Sequence, residues 1–420
     1  MSKVLIVGCG GVASVGIAKC CQNDKVFTEI CIASRTLSKC DAMKERWQDK
    51  TTAKITTVQL DAGDKEQVVA LMKAFQPDVC LHLGMPYHNL VLMDACIECK
   101  VHYVDTASYE PEDTDDPEFR KIYDKRCEET KMVAYFDYAS YQWKYMEKFQ
   151  KAGIMGLLGA GFDPGVTSVF TAYALKHYFD TIEYIDILDC NGGDHGYPFA
   201  TNFNTEINLR EVSSQADYWE DGKWIPVPAV SVKKEYDFAG VGKKDMYLLH
   251  HEEIESLAKN VPGVKRMRFF MTFGQSYLTH MKCLENVGML STTPIMFEGR
   301  EIVPIQFLKA LMPDPSSLGP RTVGKTNIGC IFTGHKDGVE KTIYIYNVCD
   351  HQESYKEVGS QAISYTTGVP AMIAASLLCT KDWNQAGVFN LEELDPDKFM
   401  DMLNEYGLPW VVDENPVMVD

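Results

Sequence analysis

The stretch KVLIVGCGGVASVGIAKC, Lys3 to Cys20, decides how the rest of the chain is read. An apolar run from Val4 to Val7 precedes Gly8, Gly10 and Ala13 in the spacing G-x-G-x-x-A, and a segment of helical composition follows Val12. That order predicts strand, tight turn, helix. Gly8 would make the turn, Gly10 would let the backbone approach a pyrophosphate, and Ala13 would let the helix pack on its strand. The helix N–H groups, from Gly11 and Val12 onward, would face the anion. The competing reading is a buried strand with a glycine turn and no ligand.

Short apolar strands continue to alternate with helical segments, the pattern of a parallel sheet built from βαβ units. Strands are expected near Glu29 to Ala33, Ile55 to Leu60, Val79 to Leu83, His102 to Val104 and Met132 to Tyr135, with helices over Lys65 to Phe75 and Asn89 to Lys100. Ligands of such sheets lie at the carboxyl ends of the strands. The loops there are SRT (Ser34, Arg35, Thr36), DAGD from Asp61, GMPYH with Gly84 and Pro86, and DTASY with Thr106 and Ala107. An acid after the second strand would hold the ribose hydroxyl of NAD, whereas a cation with hydroxyls suits the 2′-phosphate of NADP. Ser34, Arg35 and Thr36 therefore favour NADP(H). Asp61 either caps its turn or lines the adenine pocket.

The 420 residues exceed one ordinary core and fit two domains, and 45% hydrophobic with 24% charged residues describes a soluble globular chain. A formal net charge of −18 disfavours a nucleic-acid partner and weakly fits a cationic substrate. The acidic run from Glu110 to Glu118 reads as a solvated surface. No signal peptide or membrane span is expected, and fourteen scattered cysteines indicate reduced thiols in a cytoplasmic protein. No metal site is expected, since Cys96 and Cys99 lack a second pair. Gly319, Gly324, Lys325 and Thr326 satisfy a P-loop string, but no helix-forming segment follows them. His250 and His251 read as residues of a solvated helix.

The segment LLGAGFDPGVTSVF, with Gly161, Asp163, Pro164 and Gly165, resembles the saccharopine dehydrogenase/reductase family. Together with DPSSLGPRTVGKTNIGC, IYIYNVCDH and TTGVPAMIAASLL it resembles, within that family, the carboxynorspermidine (carboxyspermidine) dehydrogenases along nearly the whole chain. The fold class implied is α/β: a Rossmann domain (residues 1–163 and 366–420) interrupted by an α+β substrate and dimerisation domain (164–365). Longer strands after Thr181 (Ile182 to Leu188, Met267 to Met271, Ile328 to Phe332, Thr342 to Val348) agree with that layout. Gly368 and Pro370 are expected to open a small-residue helix that returns to the first sheet, and Tyr138 to Gly153 to form one aromatic-rich helix between the domains.

The resemblance implies NADPH-dependent condensation of L-aspartate β-semialdehyde with a diamine, putrescine or 1,3-diaminopropane, by a homodimer. It places Asp163 and Cys190 at the reaction centre and Arg210 on the substrate carboxylate, with Asn191 among the substrate-binding residues and Asp194, His195 and Glu206 as candidates for amine recognition or proton transfer. Other readings are a saccharopine-type reductase with a second amino acid, a homospermidine-synthase-like enzyme with an acid in place of Arg35, and a non-catalytic NADP-sensing protein.

Overall fold

A computed structural model describes residues 2–112, 114 and 116–419. The first strands are β1 (Ser2–Val7), β2 (Phe27–Ser34), β3 (Lys54–Gln59), β4 (Val79–His82), β5 (His102–Val104) and β6 (Met155–Leu158). There follow β7 (Thr181–Asn191), β8 (Ala216–Glu220), β9 (Lys223–Val227), β10 (Lys233–Phe238), β11 (Gly242–Leu249) and β12 (Arg266–Thr272). A short hairpin, β13 (Ile295–Phe297) and β14 (Arg300–Ile302), precedes the long pair β15 (Lys325–Lys336) and β16 (Val339–Asp350), and β17 (Gly387–Asn390) and β18 (Trp410–Asp413) complete the set.

The first sheet has the order β17-β6-β5-β4-β1-β2-β3 with every pair parallel. From β6 to β3 this is the doubly wound order of dinucleotide-binding folds, whose crevice opens beside β1. Val4, Leu5 and Ile6 are fully buried, as a strand covered on both faces must be. The second sheet runs β10-β11-β12-β7-β15-β16-β18, with β8 and β9 attached to β12. Its antiparallel β15 and β16 pair along their whole length.

Several expectations are corrected. Met132 to Tyr135 is not a strand; the Val133 N–H binds the Asp217 carboxylate of the second domain at 2.6 Å, and Met155–Leu158 lies beside β5 instead. Both runs are short and apolar, so pattern could not rank them. Tyr138 to Gly153 is not one helix but a turn, a 3₁₀ segment (Gln142–Tyr145) and a short helix (Met146–Ala152) ended by Gly153 at φ 70°. Pro370 does not open its helix. The helix spans Ala362–Thr380 and is capped by the Gln361 side chain, which accepts from the Ile363 N–H at 2.7 Å.

This helix is long and apolar enough to cross a membrane by length and composition, yet 83% of its hydropathic window is buried within the protein. It packs on the helix Gly11–Gln22, where a Cβ on Gly368 would lie 2.6 Å from Val15 Cβ and 2.8 Å from the Val12 carbonyl oxygen. The returning chain then divides. Gly387–Asn390 joins the first sheet beside β6, whereas Trp410–Asp413 pairs with β16 in the second, so 366–420 does not return as one piece.

Candidate active site

A cleft of about 1470 Å³ runs from the glycine turn after β1 to the floor of the second sheet. At its first end, Gly8 has φ +122°, and a Cβ there would meet the Leu83 carbonyl oxygen at 2.6 Å. Only glycine fits that turn. Gly10 caps the helix Gly11–Gln22, and a Cβ on it would meet nothing within 4 Å, so its open side faces the cleft in which a pyrophosphate can approach the helix amides. Gly11 and Val12 line the cleft, while Ala13 is fully buried against the core and acts by packing alone.

Ser34, Arg35 and Thr36 line the same end. The Ser34 hydroxyl accepts from the Thr36 N–H at 3.3 Å, which folds the loop over the start of the helix Leu37–Trp47. Lys39 and Arg46 of that helix also line the cleft, two cations that strand reading missed because they lie beyond the loop. Gly84, Pro86, Thr106 and Ala107 line its middle. Asp61 does not line it; its carboxylate accepts from the Gly63 N–H at 3.0 Å and shapes the turn, leaving Leu60 and Ala62 on the cleft wall. Two facing glycine positions, an open helix N-terminus and a cluster of cations with hydroxyls fit the phosphates of NADP(H).

The other end is acidic. Glu110, Asp163, Asp189, Glu211 and Glu252 line the cleft together with Arg210. Glu110 is therefore not part of a solvated run: it is buried, and one of its oxygens lies 2.6 Å from Arg210 Nη1. Burial, opposed by Arg210, pushes the Glu110 carboxyl up to about 7. Burial raises Glu211 and Asp189 to about 7, and it pushes the Asp163 carboxyl well above its usual range. Asp163 Oδ2 and Asp189 Oδ1 are buried without a hydrogen-bond partner. Such oxygens are costly to enclose unless a ligand satisfies them.

Strand alternation explains which residues face this floor. Asp189 and Asn191 of β7 line the cleft, whereas Cys190 points to the opposite face among Leu188, Phe238 and Met246. Burial pushes its thiol up to about 12. The expectation for Cys190 is thus corrected: it is a core residue. Carrying the predicted strand past Leu188 would have exposed this alternation and found Asp189. Asn191 is at the cleft, but its Oδ1 is occupied by the Gly193 N–H at 2.9 Å and by His351 Nε2 at 3.0 Å. His195 lines the cleft beside Tyr197, and Asp194 lines it too, its carboxylate accepting from the Gly196 N–H at 2.7 Å. Glu206 does not line it and pairs with Lys309 at 2.8 Å.

His250 and His251 are not on a solvated helix. Both are buried and line the cleft at the end of β11, just before the helix Glu253–Asn260. His250 Nδ1 bonds Asp217 at 2.5 Å, and His251 Nδ1 bonds Glu253. Among the described residues, no group of three or more His, Cys, Asp and Glu side chains is disposed to hold a metal ion. The P-loop string is likewise structural: Gly324 at φ +108° leads into β15, with no helix after it.

A doubly wound nucleotide domain joined across one cleft to an acid-floored second domain defines a two-domain NADP-dependent oxidoreductase. The family model described as saccharopine dehydrogenase NADP binding domain matches residues 4–157, and that described as saccharopine dehydrogenase C-terminal domain matches residues 161–408. The chain belongs to the saccharopine dehydrogenase family. It is 50% identical to carboxyaminopropylagmatine dehydrogenase of Synechocystis sp., covering 98% of this chain and 97% of that one. It is 43% identical to carboxynorspermidine synthase of Vibrio alginolyticus, with the same coverage. Saccharopine dehydrogenase (L-Glu forming) of Saccharomyces cerevisiae shares the fold, with a TM-score of 0.70 at 17% identity over 98% of this chain and 99% of that one.

Proposed function

We propose that the protein catalyses the NADPH-dependent reductive condensation of L-aspartate β-semialdehyde with an amine that carries a second cationic group. The observation that carries this reading is the charge pattern of the cleft, which is lined by Arg210, paired with Glu110, and by Asp163, Asp189, Glu211 and Glu252. A product with one carboxylate and several cationic nitrogens matches it. A second amino acid in place of the amine would add a carboxylate next to buried acids that already resist ionisation, which disfavours a saccharopine-type substrate.

In this reading Ser34, Arg35, Thr36, Lys39 and Arg46 hold the 2′-phosphate, and Gly10 with the following helix holds the pyrophosphate. The bound cofactor supplies the hydride. Arg210 anchors the α-carboxylate of the semialdehyde through N–H donors that its contact with Glu110 leaves free, since a guanidinium has five. Asp163 and Asp189 receive the distal cation of the amine, which supplies the hydrogen bonds their orphaned oxygens lack. The depth of the cleft keeps water from the imine.

The amine is putrescine, 1,3-diaminopropane or, given the name of the 50%-identical relative, agmatine. One methylene separates the two diamines and is worth only ~1–3 kcal/mol. A guanidinium offers planar paired donors that a bidentate carboxylate prefers. NADPH oxidation with aspartate semialdehyde and a panel of putrescine, 1,3-diaminopropane, agmatine and glutamate tests the reading. Turnover with a cationic amine and none with glutamate is the expected result; turnover with glutamate alone, or with no amine, rejects it.

A further inference from the structure

His251 is held more firmly than packing demands. Its ring stacks on Phe269 of β12, with centroids 4.1 Å apart and planes 17° from parallel. Its Nδ1 bonds one oxygen of Glu253, whose other oxygen accepts from the Thr167 hydroxyl at 3.4 Å. Glu253 is fully buried, so the carboxylate cannot swing to water and the ring cannot turn. That leaves Nε2 on the cleft side, 3.9 Å from Glu211 Oε1 and beyond hydrogen-bond reach of it. His250 differs. Its partner Asp217 also accepts the Val133 N–H, which ties two chain segments together.

We propose that His251 is the acid–base residue of this site, protonating the departing hydroxyl of the carbinolamine through Nε2, and that Glu253 is the positioning residue that fixes its ring. The proposal rests on the condensation reading above. The amine lone pair forms the C–N bond at the aldehyde carbon, the carbonyl π pair moves to oxygen, and a proton passes from nitrogen to that oxygen. His251 then gives its Nε2 proton to the hydroxyl. The C–O bond breaks, its electron pair leaves with water, and the nitrogen lone pair closes the C=N bond of an iminium ion ready for reduction. Neutral His251 regains its proton from the next ammonium group to enter, which also frees the lone pair that attack requires.

The groups facing His251 suit that cycle. Glu253 and Glu252 adjoin it in sequence, Asp163 precedes the helix Val166–His177, Asp189 comes from β7 and Glu211 from the helix Thr205–Ser213. Burial opposes the charged ring, but these carboxylates outweigh it and hold the imidazole protonated above its ordinary range. The ring thus takes the proton of the entering ammonium readily and keeps it until the hydroxyl departs.

Two substitutions test the role. In His251→Asn the side-chain amide can still donate to Glu253, while His251→Gln places a neutral amide nearer the Nε2 position. Both are expected to bind NADPH within about twofold of wild type by fluorescence titration and to lose kcat by roughly 10²–10³-fold. With NADPH deuterated at the transferred position, their isotope effect on kcat should not exceed that of the wild type, because dehydration and not hydride transfer becomes slower. Glu253→Gln should move the alkaline limb of the pH profile to lower pH, since the carboxylate no longer favours the imidazolium. Wild-type kcat in both His251 variants, an enlarged isotope effect, or loss of NADPH binding in both overturns the proposal. Failure of the wild type to oxidise NADPH with semialdehyde and any amine rejects the condensation itself, and this role with it; a turning-over wild type matched by His251→Asn rejects this role alone.

Discussion

Arg35 precedes the helix Leu37–Trp47 and lines the cleft with Ser34 and Thr36, while Arg46, in the last turn of that helix, lines it too. If Arg35 holds the 2′-phosphate, Arg35→Ala should cost about 1.5–3 kcal/mol, a loss of roughly 10–150-fold in NADPH affinity, and leave NADH nearly unchanged. Equal losses for the two cofactors in titration would reject the assignment. At the other end, Arg210 is engaged by Glu110 at 2.6 Å, which orients its fork before substrate arrives. Arg210→Lys keeps the charge but not the fork and should lower kcat/KM for the semialdehyde at least about tenfold, with NADPH affinity unmoved. Unchanged kcat/KM, or a loss of NADPH binding instead, would show that the carboxylate lies elsewhere. Glu110 itself was unreadable from the chain: it begins a run of acids whose composition describes a solvated loop, and only the fold turns that first acid inward against an arginine a hundred residues away.

At the scale of elements, the glycine turn, the helices over Lys65–Phe75 and Asn89–Cys99 and the strands around them were legible, because each combines a periodic apolar pattern with a clear stop signal. What was not legible were choices between equivalent patterns. Met132 to Tyr135 and Met155 to Leu158 are both short apolar runs, and the helix Ala362–Thr380 begins in residues of weak helix propensity that burial recruits. HHEEIES reads as polar, yet His250, His251, Glu252 and Glu253 are enclosed because each finds a partner: His251 pairs with Glu253, His250 with Asp217, and Glu252 accepts from the Ser108 N–H. The close approach of the helices Gly11–Gln22 and Ala362–Thr380 has its own test. Gly368→Val would drive its side chain into Val15 and the Val12 carbonyl, costing about 1–3 kcal/mol of stability and weakening NADPH binding through the displaced anion-binding helix. Wild-type melting and NADPH titration in that variant would show that the helices yield without consequence.

Across the whole molecule, the buried acids set a pH dependence. Asp105, Glu110, Asp189 and Glu211 are each raised to about 7 and Glu255 to about 8, chiefly by burial. Between the ordinary carboxyl range near pH ~4 and these values the folded state binds more protons than the unfolded one, so stability falls as pH rises through that window. His251, raised above its ordinary value by its carboxylate neighbours, acts in the same sense, its stabilisation being lost as pH climbs through the folded-state value. The thermal midpoint of the ligand-free protein should therefore drop from pH 5 to pH 8, and a saturating diamine should offset part of the drop. A midpoint that rises over that interval in calorimetry would contradict the burial of these groups. The division of the returning chain has a further consequence, for synthesis. The first sheet emerges from the ribosome with β6 as a bare edge, since its neighbour β17 is translated only after every strand of the second sheet except β18. Unpaired edges invite other strands. The nascent nucleotide domain must thus be shielded while most of the polypeptide is still being made, and a ribosome stalled before Gly387 would release a chain with a sticky flank where its last parallel strand belongs.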